Sequence, residues 1–121
     1  MEIIYLLGRI LLGGYFIYNG YNHFANLDNL TGYAKSKKVP MAKEGVVVTG
    51  LMMIIGGATI LTGLSMTIGL WILVAFLIVT SFMMHQFWKM TDPMARMGEE
   101  INFTKNIALA GALLLILAMK M

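Results

Sequence analysis

From Val46 to Phe87 the chain runs for 42 residues without an aspartate, glutamate, lysine or arginine. A single domain of 121 residues has too little interior to hide such a stretch from water, so the surroundings that accept it must be apolar. Two further gaps in the charge pattern flank it: Ile3 to Tyr18, broken only by Arg9, and Ile107 to Met119, which is unbroken. Crossing a hydrocarbon layer about 30 Å thick takes roughly 20 residues of helix. Four segments reach that length, at residues 3–22, 46–64, 68–88 and 102–119. None alternates apolar and polar residues as a barrel strand would, and backbone groups in lipid must bond within their own segment, so each is a helix. The expected fold is all-α: one integral-membrane four-helix bundle over residues 1–121.

Composition narrows the function classes. With 59% hydrophobic and 12% charged residues the expected partner is the lipid bilayer, and the pI near 9.3 reflects loop lysines rather than a nucleic-acid surface. The absence of cysteine excludes disulfides, thiolate metal ligands and thiol redox chemistry. The start Met1-Glu2-Ile3-Ile4-Tyr5 lacks the basic region and cleavage site of a signal peptide, so the first span is expected to stay. Of the basic residues near span ends, Lys35, Lys37, Lys38, Lys43, Lys89, Arg96 and Lys105 lie on one side, against Arg9 and Lys120 on the other. The positive-inside rule then puts both long connections in the cytoplasm and both termini outside, in a prokaryotic inner membrane.

Within the connections, residues from about Leu27 to Ser36 suggest a short interfacial helix. Gly63 can end the second span before the tight link Ser65-Met66-Thr67, and Asp92-Pro93 is a helix-start signal. Trp71 and Trp88, 17 positions apart, fit two interfacial aromatic belts.

Polar residues at membrane depth usually face a bundle interior or a cavity. Arg9, Gly13, Phe16, Gly20 and His23 share one face of the first span, either as a packing seam with Arg9 reaching the headgroups or as one wall of a site. Ser81, His85 and Trp88 share a face of the third, and Asn102, Lys105 and Asn106 a face of the fourth. Antiparallel crossing brings Asn22, His23, His85 and Asn102 to the same membrane side, so one polar layer is expected. Lys105, placed in the first turn of its span, would be disfavoured by the helix dipole and should want Glu44, Glu99 or Glu100. Met90, Met94 and Met97 near His85 raise a Cu(I) site, but Pro93 interrupts the run and methionine fills apolar gaps generally, so no metal site is expected.

The stretch Gly8-Arg9-Ile10-Leu11-Leu12-Gly13-Gly14, the glycines Gly50 and Gly56-Gly57, His85-Gln86-Phe87-Trp88, and Asn102-Phe103-Thr104-Lys105-Asn106-Ile107-Ala108-Leu109 together resemble the DoxX family over essentially the whole chain. The resemblance implies a single DoxX-like transmembrane domain. Members include the membrane subunit of an archaeal thiosulfate:quinone oxidoreductase and part of a mycobacterial membrane oxidoreductase complex. One departure stands out: many members carry an acidic residue three positions before the paired glycines, where this chain has Met53.

The expectation is a membrane subunit of a redox system, more a partner-dependent subunit than an enzyme in itself, with unknown catalytic residues. It would bind a quinone headgroup or dock a redox partner through Arg9, Asn22, His23, His85, Trp88, Asn102, Lys105 and Asn106. No intrinsic cofactor is expected, and a quinone is the ligand such donors suit. The competing classes are a non-enzymatic assembly subunit and a small transporter or lipid-binding protein. The glycine-rich faces also suggest a homo-oligomer or a larger membrane complex.

Overall fold

The computed structural model describes residues 2–120. It contains α1 (Glu2–Ala25), α2 (Leu27–Ser36), α3 (Ala42–Thr62), α4 (Met66–Met84), a 3-10 turn (Phe87–Lys89) and α5 (Pro93–Lys120), and among the described residues there is no strand. Four helices are long and apolar enough to cross a membrane, as the charge gaps require. The interfacial helix expected between the first two spans is α2, and Gly63 ends α3 in the left-handed conformation at φ 78°, its N–H donating to the Thr59 carbonyl at 2.9 Å.

Two boundaries differ from expectation. The third span stops as a helix at Met84: His85 takes φ −118° and ψ 51°, and Trp88 falls in the 3-10 turn, off the α4 face it was expected to share with Ser81 and His85. The fourth helix begins at the expected Asp92-Pro93 start signal, nine residues before the expected span, because Asp92 caps it by accepting from the Ala95 N–H at 2.9 Å and proline suits the first helical position. Lys105 therefore lies well inside α5, where the dipole argument for its first turn has no force.

Packing follows chain order: α1 lies on α3, α3 on α4, and α4 on α5, with α2 across the loop-side end of α3. Glycines set the α1–α3 distance. A Cβ on Gly13 would stand 2.8 Å from the Gly57 carbonyl oxygen, and one on Gly20 would stand 2.8 Å from that of Gly50. This close approach replaces the hydrophobic drive that lipid removes. The main core gathers Phe16, Ile60, Leu70, Leu73, Leu77 and Leu113, each buried, from α1, α3, α4 and α5. At the end away from the long connections, Arg9 donates to the terminal α3 carbonyls of Ile60 and Leu61 at 3.0 and 2.8 Å, satisfying groups a helix end leaves open.

Gly13→Ala and Gly57→Ala should each lower the thermal stability of the protein in nanodiscs by roughly 1–3 kcal/mol, the usual range for overpacking. Gly8→Ala, where a Cβ meets nothing within 4 Å, should leave the melting temperature unchanged.

Candidate functional site

The loop-side halves of α1, α3, α4 and α5, roofed by α2, border a half-open cavity of about 420 Å³. Its body is apolar, built by Phe16, Met53, Phe76 and Leu77. Asn19 and His23 of α1, Thr49 of α3, His85 at the end of α4, and Lys105 and Asn106 of α5 add polar groups to the wall, while α2 contributes Leu30, Tyr33 and Ala34. Phe76 precedes His85 by nine residues, so the cavity reaches about 14 Å along α4 from the loop side into the apolar layer.

Glu99 closes this end of the molecule. It is 7% exposed, and both oxygens are engaged: Oε1 accepts from Asn102 at 3.1 Å and lies 3.1 Å from His85 Nδ1, while Oε2 accepts from the Tyr33 hydroxyl at 2.7 Å and pairs with Lys37 Nζ at 2.5 Å. A carboxylate this buried needs such partners, because leaving it unpaired would cost far more than each bond returns. Of the four donors, Tyr33 belongs to α2 and Lys37 directly follows it, and α2 lies across the cavity, so Glu99 fastens that roof to α5. Burial, and then the bond to Glu99, push the Tyr33 hydroxyl well above the usual phenol range, so it stays a donor.

Of the eight residues singled out from sequence, His23, His85, Lys105 and Asn106 line the cavity together. His23 holds the Asn19 carbonyl through Nδ1 at 2.9 Å, within its own helix. Asn106 is 7% exposed, and its amide makes no hydrogen bond to any described residue. Asn102 is spent on Glu99. The other three lie elsewhere. Arg9 caps α3 at the far end, and Asn22 accepts from the Asn26 side chain. Trp88 stacks edge-on with Phe87 and Phe103 outside the cavity, carried there by the break at His85. Lys105 does not pair with Glu44, Glu99 or Glu100, for Lys37 and His85 are the cation-forming partners of Glu99.

Sequence reasoning missed Tyr33 and Lys37, and none of the three glutamates it offered to Lys105 lies in an ion pair with it. A signal was available: Glu99, Asn106, Ala110, Leu113 and Leu117 are the buried residues of α5, a spacing of seven, four, three and four that marks one stripe. Extending the fourth helix back to the Asp92-Pro93 start signal brings Glu99 into it.

A family model for DoxX matches residues 4–86. The chain belongs to the DoxX family. No curated protein and no solved structure matches it. The matched residues take in α1 to α4 and His85, whereas Glu99, Lys105 and Asn106 lie beyond them on α5 of this DoxX protein. Met53, three positions before the paired glycines, is 5% exposed and lines the cavity, so the body of the cavity is apolar there.

Glu99→Gln should free α2. Amide exchange across residues 27–36 should rise, with a stability loss of roughly 1–3 kcal/mol, while Lys105→Met leaves that protection unchanged.

Proposed function

We propose that the protein is a membrane subunit of a redox system that holds the head of a quinone-class carrier in this cavity. The observation that carries the reading is the amide of Asn106, open in the wall of an amphipathic cavity and without a hydrogen bond to any described residue. Intramembrane amides left without partners are costly, and a ligand carbonyl is the acceptor such a donor lacks. A quinone is a flat ring with carbonyl acceptors and an apolar tail. Asn106 and Lys105 supply donors, Phe16 and Phe76 supply ring-packing surface in place of the expected Trp88, and a volume of about 420 Å³ suits a small-molecule site.

With no cysteine in the chain, electrons would pass between the bound carrier and a partner protein. In this reading the protein sits in a prokaryotic inner membrane with its long connections in the cytoplasm, where the excess of lysine lies. A second reading, an assembly subunit, draws on Gly8, Gly14 and Gly111, where an added Cβ would meet nothing within 4 Å and a neighbouring helix could come close.

The test is titration of the protein in nanodiscs with a short-tailed ubiquinone. Saturable one-to-one binding should weaken about tenfold or more in Asn106→Leu, equivalent to about 1.4 kcal/mol, with no loss of melting temperature. Absence of saturable binding to the unaltered protein would remove the reading.

A further inference from the structure

Lys105 is the cation on the cavity wall whose charge nothing in the fold answers. Lys37 is neutralised by Glu99 and Arg9 is satisfied by carbonyls at the opposite end, but among the described residues no carboxylate lies within 4 Å of the Lys105 ammonium. It lies six positions beyond Glu99, about 9 Å along α5 toward the apolar layer, and is an exposed residue of the cavity wall. The titratable groups that share the cavity wall are His23, His85, Tyr33 and Tyr15, and no Asp or Glu lines it. Glu99 stands behind His85 with both oxygens taken. A cavity lined by one lysine, two imidazoles and, among the described residues, no acid holds no counter-charge of its own, and charged groups at membrane depth pair with an opposite charge. Beside Lys105 on the same helix, the free amide of Asn106 offers a second donor to whatever oxygen the ammonium holds.

We infer that Lys105 makes this cavity select an amphiphile whose head oxygen is anionic. The inference rests on the proposal that the cavity holds a lipid-soluble ligand, and it adds the charge state of the head. An ionised hydroxyquinone and a fatty carboxylate share that chemistry: one negative oxygen at the end of an apolar body. The neutral ether or ester of each differs only in losing the charge. A charge-assisted hydrogen bond is about twice as strong as a neutral one, so the anion should be preferred clearly rather than marginally.

The experiment compares two probe pairs on the full chain in nanodiscs of neutral lipid. One pair is an alkylated hydroxynaphthoquinone, an enolic acid ionised at neutral pH, and its methyl ether. The other is a fatty acid of the same tail length and its methyl ester. Each acid should bind at least tenfold more tightly than its neutral partner. That preference should vanish in Lys105→Gln and return in Lys105→Arg, with melting temperatures matched among the three proteins. Equal binding of hydroxyquinone and ether overturns the charge selection while leaving quinone binding intact. Preference for the fatty acid over its ester without binding of either quinone supports charge selection and removes the quinone reading. An acid preference that survives Lys105→Gln assigns it to other groups and overturns the role of Lys105.

Discussion

The arrangement of the loop-side end depends on one buried carboxylate. Glu99 belongs to a helix that otherwise buries Asn106, Ala110, Leu113 and Leu117, and a charge in that stripe is tolerable only where donors converge on it. They come from three places: Tyr33 on α2 and Lys37 just past its end, His85 at the end of α4, and Asn102 one turn along α5. The same bonds hold His85 at the cavity wall and draw α2, whose buried Thr31 and Ala34 face inward, over the opening. The break of α4 at Met84 belongs to this arrangement, because it sets His85 free of helical geometry at the level of Glu99.

Away from that end the forces are those of a bilayer. Lipid gives apolar side chains no reason to leave it for one another, so helix association relies on close packing, and the glycines of α1 and α3 provide it. The helices follow one another in chain order, and among the described residues α1 and α5 form no packed seam. Phe16 of α1 joins the common core, but farther toward the loops the facing side chains, Asn19, His23 and Thr49 among them, are smaller or polar and leave the cavity between the helices.

Much of this was legible in the residues. The uncharged stretch from Val46 to Phe87 fixes two membrane helices, the short polar link with Gly63 fixes their hairpin, and the amphipathic pattern of α2 matches the helix found. The gathering of His23, His85, Lys105 and Asn106 also followed from helix direction and spacing. What could not be read was partner choice. Lys37 at the end of α2 and Lys105 on α5 are equivalent in a string of letters, and only the position of the α2 backbone across the cavity decides which reaches Glu99. Arg9 shared a face with Gly13 and Gly20, yet a long side chain at a helix end goes to the nearest open carbonyls, here those of Ile60 and Leu61. Trp88 was misplaced because periodicity extrapolates a helix through His85 without registering that the backbone turns there.

The central claim is that the cavity beneath α2 holds a lipid-soluble ligand through Asn106 and its neighbours. Native mass spectrometry of the protein released from its own membrane, without prior delipidation, tests it most directly. The account predicts one tightly held adduct per chain, distinct in mass from the bulk phospholipids and absent from the Asn106→Leu protein. Finding only bulk phospholipid, equally on both proteins, would contradict it.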